Sequence, residues 1–145
     1  IRAAVDNGEP TASIITTVME TLAWGLHFNR VFLLLVDGAK KSLRGRMFLG
    51  TASFDPKSVV RPITPDLSPC DVRAFTSGRC VFHGESVIAD GWPFAAIPIG
   101  FDDRCVGVIY ADKTNSKELE LSSRDQAAVG VLAELLDHSI VGNVR

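Results

Sequence analysis

One short, uninterrupted apolar run constrains the fold of this chain more than its other features. The run is VGVIYA at residues 106–111, and the polar pair Asp112-Lys113 follows it. It is too short for an independent helix and suits a strand that is buried on both faces of a sheet. A similar run, VFLLLV at residues 31–36, predicts a second such strand. Other elements are therefore expected to cover this sheet on both sides.

Helical patterns stand near both ends of the chain. The first has an apolar stripe made of Ile14, Ile15, Val18, Met19, Leu22 and Leu26, with Trp24 on the polar side. The second begins after Leu121, where Ser122 and Asp125 have capping-box spacing, and runs toward Gly142. Its apolar residues cover roughly half of the circumference, more than the stripe of about 100° that one sheet face needs. A second partner is therefore expected: the first helix, a sister subunit or both.

Shorter elements lie between these helices. After residues 31–36, apolar residues at 43, 45, 47 and 49 alternate with Arg44, Arg46 and Phe48. This alternation predicts a hairpin strand with one apolar and one mostly basic face. A short helix capped by Ser68 or Asp71 is expected to end at Gly78. Further strands are expected at residues 59–63, 81–83 and 94–99.

Size and charge restrict the classes of function. The chain has 145 residues, which suits one domain, and a net charge of −2. Such a balance argues against a broad surface for nucleic acid or anionic membranes, so neither is expected as a partner. No apolar run approaches the length of about 20 residues that spans a bilayer, and no signal peptide is visible. Cys70, Cys80 and Cys105 lack metal-type spacing, which favours a reducing, cytoplasmic location.

The order of the pieces resembles that of GAF domains, which are small sensory modules. The likeness covers about residues 12–142 and rests on Phe28-Asn29-Arg30-Val31 and LRGR at residues 43–46, together with residues 94–99 and 106–112. It is closest to the GAF-like domains that follow HDOD domains in bacterial signalling proteins. The likeness implies an α+β sandwich of the GAF/PAS type, with about six mostly antiparallel strands and helices on both faces. Residues 1–10 would be a linker or the tail of an upstream element, and residues 11–145 the domain.

Family resemblance also implies where sites would lie. A ligand pocket is expected on one sheet face, under the middle loop and short helix, with Arg73 holding an anionic group. The expected pocket residues are Arg73, Phe75, Val81, His83, Trp92 and Phe94. The alternative for Phe75, Trp92 and Phe94 is a role in the core. The terminal helices commonly dimerise in the family, and the expected dimer residues are Trp24, Val129, Leu136 and Ile140. The alternative is that the two helices pack their apolar faces against each other within one chain.

The motifs with which known GAF domains bind their cofactors match this chain only weakly. Cyclic-nucleotide-binding members carry an Asn-Lys, Phe and Asp-Glu motif, and the corresponding residues here are Asp112-Lys113, Leu121 and Asp125-Gln126. Bilin-binding members use a cysteine followed by histidine, whereas Cys70 precedes Asp71 and Cys80 precedes Val81. Neither cofactor is therefore expected, and the cofactor is unknown. His27, His83 and His138 are too dispersed to predict a metal site.

The expected function is regulatory: a sensory domain that binds a small ligand, dimerises, or does both, next to other signalling domains in the same chain. A ligand-free dimerisation module is one alternative. The other is an enzyme, because some proteins of GAF fold reduce free methionine sulfoxide with a nucleophilic and a resolving cysteine. Cys70 and Cys80 flank the short helix and are the candidates for that chemistry, with Cys70 expected to be exposed. No catalytic residue is otherwise assigned.

Overall fold

A computed structural model describes residues 9–50, 55–88, 91–101, 104–114 and 120–144 of the chain. Three α-helices belong to this part: α1 (Glu9–Glu20), α2 (Cys70–Ser77) and α3 (Ser123–Val144). The strands are β1 (Arg30–Val36), β2 (Ser42–Gly50), β3 (Val60–Pro62), β4 (Phe94–Phe101) and β5 (Arg104–Asp112). A π-helical turn, Thr21–Gly25, continues α1, and a 3₁₀ turn, Pro56–Ser58, precedes β3.

The sheet confirms that the two apolar runs form its central strands. All neighbouring strands are antiparallel, in the order β3-β2-β1-β5-β4. Within β1 and β5 the side chains of Val31, Phe32, Leu34 and residues 108–111 are fully buried. Burial of both faces explains why these strands are continuously apolar rather than alternating.

Alternation along the central strands divides the interior into two cores. Phe32, Leu34, Val108 and Tyr110 point toward α2. The residues between them, including Ile109, point toward α1 and α3. Helices therefore cover both faces of an antiparallel sheet, and the expected α+β sandwich is confirmed.

A β-bulge in β2 changes the expected alternation of that strand. Leu33 pairs with Met47 but Leu34 pairs with Gly45, which leaves Arg46 as the extra residue. Leu43 consequently packs in the core under α2, whereas Met47 packs on the opposite face, which α1 and α3 cover. The prediction of one apolar and one basic face is wrong for this strand because the bulge reverses the faces.

Two shorter elements also differ from expectation. Five strands are described, close to the expected number of about six, and Val81 makes an isolated bridge to Ala96 in place of the strand expected at residues 81–83. Helix α2 starts after Pro69 without a side-chain cap, so the expected capping by Ser68 or Asp71 is wrong. It ends as predicted at Gly78, whose φ of +69° is left-handed.

The first ten residues are only partly described. Glu9 and Pro10 already belong to α1, and the linker predicted for residues 1–10 otherwise lies outside the described residues. Among the described residues no helix combines the length and the apolar character needed to cross a membrane.

Substituting Gly45 tests the close approach at the bulge. A Cβ added there would lie 2.0 Å from the carbonyl oxygen of Pro56, so Gly45→Ala is expected to destabilise the fold by about 1–3 kcal/mol. Gly130→Ala in α3 is the matched control, because a Cβ there meets no atom within 4 Å. It should stabilise by up to about 1 kcal/mol. Urea denaturation followed by circular dichroism measures both, and equal effects would contradict this packing.

Candidate functional site

The expected ligand residues divide between the core under α2 and the exposed surface. Phe75, Val81, Trp92 and Phe94 belong to the core under α2, where Val81 and Phe94 are buried and the other two are half-buried. Arg73 is exposed on α2 and is not part of this core. His83 is also exposed, and its Nδ1 lies 3.4 Å from Oε1 of Glu120.

Aromatic rings fill the middle of the face beneath α2. The ring centroids of Trp92 and Phe94 are 5.0 Å apart, and Phe94 lies 6.3 Å from Tyr110. Phe32 continues the series at 6.1 Å from Tyr110 and 4.9 Å from Phe48. Tilted rings at these separations pack favourably and add to the stability of a core. Trp92 and Phe94 therefore pack in the core beneath α2, and their contact with a ligand stays a prediction.

A buried carboxylate stands at the end of the central strands. Asp112 has no exposed surface, and it accepts hydrogen bonds from Arg30 Nε to Oδ1 at 2.8 Å and from Arg30 Nη2 to Oδ2 at 3.1 Å. Tyr110 Oη donates to Asp112 Oδ2 at 2.5 Å. A Cβ on Gly91 would lie 2.0 Å from the same oxygen, so only glycine fits there. Burial, followed by the charge of Asp112, raises the pKa of Tyr110.

The hydrogen bonds around Asp112 join separate segments of the chain rather than bringing together groups that could react. The Asn29 N–H donates to the Asp112 carbonyl at 2.9 Å, and the Trp92 N–H donates to the Lys113 carbonyl at 3.0 Å. Lys113 N–H in turn donates to the Pro93 carbonyl at 3.0 Å, beside the cis Trp92–Pro93 peptide. Through these bonds and its pairing with Arg30, Asp112 holds the entry of β1 and the exit of β5 together.

Local sequence patterns do not single out Arg30 and Asp112. Each looks like a polar residue at the edge of an apolar run. The signal lies in the pairing of the two strands, because Arg30 and Asp112 are direct partners across β1 and β5. Antiparallel pairing of the two runs therefore places opposite charges at the same end of the sheet.

An open groove of about 640 Å³ lies at the C-terminal end of α2. The α2-end groove, as it is called below, is lined by Val36, Lys40, Phe75, residues 76–78, Cys105 and Val106. It lies where β1 ends and β5 begins, whereas the aromatic rings fill the middle of the same face. Of the expected ligand residues, Phe75 alone lines it.

A hydrogen-bonded turn between β1 and β2 positions Lys40 in the groove. Oδ2 of Asp37 accepts from Ser42 Oγ at 2.8 Å, and its Oδ1 accepts from the Lys41 N–H at 2.9 Å. Asp37 Oδ2 also lies 3.6 Å from Nε of Arg44. The hydrogen bond from the Ser42 side chain is the main reason that the pKa of Asp37 falls to about 2. Lys40 adopts a φ of +60°, a backbone conformation that favours glycine.

Helix α3 carries an exposed apolar stripe. Ala127, Val131 and Leu135 are exposed at successive spacings of four residues, with Val131 65% and Leu135 43% exposed. Except for Trp24, the exposed residues of α1 and its π-helical turn at this spacing are polar or small, as Ser13, Thr17 and Glu20 illustrate. Trp24 itself is 63% exposed.

Two of the expected dimer residues are instead core residues. Val129 and Leu136 have 0% and 1% exposure within a single chain and pack against the sheet. They retain no surface for a second subunit, which corrects their assignment to a dimer interface. Their neighbours on the opposite side of α3 are the exposed residues, because one helix face is already occupied by α1 and the sheet. The side chain of Ile140 lies outside the described residues.

Searches against known protein families and against curated proteins find no match. Solved structures do match. A methyl-accepting chemotaxis protein superposes with a TM-score of 0.67 and 21% identity, over 92% of this chain and 96% of that one. The second GAF domain of DevS from Mycobacterium smegmatis has a TM-score of 0.67 and 14% identity, over 92% of each chain. This chain has a GAF-like fold.

An enzyme shares the GAF-like fold as well. Free methionine-R-sulfoxide reductase from Neisseria meningitidis, solved with its substrate, superposes with a TM-score of 0.65 and 20% identity. The match covers 92% of this chain and 79% of that one. At such identities the likeness shows the fold alone, so the chemistry of each protein depends on its own residues.

The cysteines lie in environments that disfavour the thiolate. Cys70 begins α2 and is fully buried, so its expected exposure is wrong. Burial and the neighbouring Asp71 carboxylate raise the pKa of Cys70. Burial also raises the pKa of Cys80 and Cys105, which are half-buried free thiols. At Cys70 and Cys80, the two positions considered for redox chemistry, burial therefore favours the neutral thiol over the thiolate.

Residues at the cyclic-nucleotide motif positions hold the connection between β5 and α3. Lys113 Nζ lies 3.9 Å from Asp125 Oδ2 and 5.6 Å from the centroid of the Phe28 ring. The Asp125 N–H donates to Ser122 Oγ at 3.1 Å, as the capping-box spacing predicts, and Gln126 Nε2 donates to the Leu121 carbonyl at 3.0 Å. Within the described residues, no group of three or more histidine, cysteine or acidic side chains is arranged to hold a metal.

Removing the charge of Asp112 tests its role at the strand ends. Asp112→Asn removes the carboxylate charge that faces the Arg30 guanidinium, which is 15% exposed. A loss of about 3 kcal/mol in unfolding free energy is expected, from urea denaturation. Tyr110→Phe is the control that removes one hydrogen bond and keeps the charge pair, and it should cost about 1–2 kcal/mol. A loss of unfolding free energy in Asp112→Asn that is no larger than the loss in Tyr110→Phe would contradict this role.

The turn that carries Lys40 can be tested by titration. Carboxyl ¹³C NMR is expected to show Asp37 titrating at about pH 2, because hydrogen bonds to the charged form lower its pKa. Ser42→Ala should move the midpoint up toward the ordinary value of 3.8. The stabilisation by this carboxylate is present above its unfolded pKa of 3.8 and is lost as the pH falls through about 2. An unchanged midpoint in Ser42→Ala would show that the hydroxyl does not set it.

Proposed function

We propose that this chain is a regulatory GAF-like domain that dimerises along α3 and transmits a signal through its terminal helices. The observation that carries the proposal is the exposed stripe of Ala127, Val131 and Leu135. Exposed apolar side chains in line on one helix, with polar neighbours, are typical of protein interfaces. Arg124 and Glu134 are such neighbours.

A second copy of this chain is the occupant that suits the stripe best. Two-fold pairing is the common solution for homo-oligomers, and it lets one helix face cover its own copy. Side chains four residues apart on facing helices interdigitate when the helices lie side by side. Small Ala127 permits close approach of the two helices, while Val131 and Leu135 supply apolar area.

The terminal helices α1 and α3 suit signal transmission because they pack together on the same face of the sheet. A ligand or partner changes the signal only if it binds two arrangements of these helices with different affinities. The filled aromatic core beneath α2 supports dimerisation as the primary role, with ligand binding elsewhere on the domain. A dimerisation module that binds no ligand is the limiting case of the same proposal.

Placement in a larger protein rests on the sequence resemblance alone. We place the domain in the cytoplasm of a bacterium, beside other signalling domains and after an HDOD domain. The solved GAF domain of DevS and the chemotaxis protein support a role in signalling, since their names describe that class of protein. The balanced charge of the chain supports a protein partner rather than nucleic acid or membrane.

Charge introduced into the stripe tests the dimer. Val131→Glu with Leu135→Glu places like charges on both copies, so a monomer with unchanged circular dichroism is expected. Light scattering coupled to size-exclusion chromatography measures the mass. Ser13→Glu with Thr17→Glu, on the exposed face of α1, is the matched control and should leave the dimer intact. A monomeric starting protein, or a dimer that survives the α3 substitutions, would refute the proposed seam.

Leu136, the buried residue next to Leu135 on α3, is expected to respond differently to the same kind of substitution. Leu136→Glu places a carboxylate at a position that is 1% exposed within the chain, so it is expected to unfold the domain rather than dissociate it. Thermal melting separates the two effects. A folded Leu136→Glu monomer would return Leu136 to the dimer interface.

A further inference from the structure

We propose that the α2-end groove binds a small amphiphilic monocarboxylate, with the carboxylate at Lys40 and the apolar body on Phe75. The proposal deepens the ligand-binding part of the proposed function and rests on it. It assigns the groove at the end of α2, rather than the filled face beneath the helix, as the sensory site. Three features of the described part of the groove support this ligand class: its apolar floor, the ammonium group of Lys40 and the electrostatics of the helix end.

The floor of the groove suits an apolar body. Val36, Phe75 and Val106 line it and are each half-buried, so part of each side chain remains in contact with water. Covering that surface with a hydrocarbon or aryl group releases the water and is favourable. The volume of about 640 Å³ falls within the range of small-molecule sites, about 300–1,000 Å³.

Lys40 supplies the charge that would recognise an anion. Its side chain is exposed at the groove, and within the described parts of the chain its ammonium group forms no ion pair. The backbone φ of +60° would be relaxed for glycine and is strained for lysine. Because the hydrogen bonds of Asp37 hold the turn, the backbone strain persists and the Lys40 side chain starts at the edge of the groove that it lines.

The end of α2 restricts both the orientation and the charge of the ligand. Residues 76–78 form the opposite rim, where the C-terminal carbonyl groups of α2 carry partial negative charge. An anionic head is repelled from this rim and attracted to Lys40, which directs the apolar body across Phe75. Among the described residues that line the groove, Lys40 is the one cation, so its ammonium balances one carboxylate, whereas the second charge of a phosphate monoester meets no cation among them. The groove therefore favours a monocarboxylate.

Paired probes test this chemistry directly. Titrating the ¹⁵N-labelled protein with 4-phenylbutyrate and octanoate is expected to shift the amide signals of Val36, Phe75, Cys105 and Val106. The matched amides, 4-phenylbutyramide and octanamide, should bind about tenfold more weakly because they lack the charge. Phenyl phosphate should also bind more weakly. Absence of shifts at these residues, or amides that bind as well as acids, would overturn the proposal.

Lys40→Gly is the decisive variant because it separates binding from folding. Glycine suits the φ of +60°, so thermal stability is expected to stay equal or rise while carboxylate affinity falls to that of the amide. Lys57→Ala is the matched control, since it removes an exposed lysine that does not line the groove, and affinity should not change. Undiminished carboxylate affinity in Lys40→Gly would refute the assignment of the cation.

The oligomeric state of the same samples distinguishes the two proposals. A dimer that binds none of the carboxylates refutes the groove assignment and leaves dimerisation along α3 intact. A monomer whose groove signals shift, and shift less in Lys40→Gly, refutes dimerisation and supports the groove.

Discussion

Burial of β1 and β5 on both faces is the constraint on which the rest of the structure depends. Because the side chains on both faces of these strands are apolar, each face must be covered by other elements that shield it from water. Helices α1 and α3 cover one face, and α2 with the aromatic side chains covers the other. The face beneath α2 is thereby used for stability, whereas its outer end and the exterior of α3 keep exposed apolar surface.

The ion pair at the end of these strands follows from the same constraint. A carboxylate that is fully buried must be paired and hydrogen-bonded, and Asp112 meets that need through Arg30 and Tyr110. The pair fixes which residues of β1 and β5 stand opposite one another. It also requires glycine at position 91, so the segment leading to Trp92 packs directly on the carboxylate.

The two proposed surfaces lie on different elements but share the central strands. Val36 and Val106, at the outer ends of β1 and β5, line the α2-end groove. Val106 also packs against the core that α1 and α3 cover, as do other residues of the same strands such as Ile109. A ligand in the groove therefore contacts strands on whose opposite face the proposed dimer helices rest. Coupling would require two arrangements of these helices that the ligand distinguishes.

The sequence by itself determined the central strands, the terminal helices and the end of α2 at Gly78, whereas the antiparallel α+β sandwich was implied by the family resemblance. These features are local, because run length, periodicity and turn residues act over a few neighbouring positions. Only the tertiary structure decided the bulge at Arg46, the burial of Cys70, the partner of Asp112 and the exposed side of α3. Each of these depends on which distant segment packs against the residue. For the same reason the sequence predicted Phe75 near a ligand but not Lys40, whose place in the groove comes from strand ends and a helix end meeting in space.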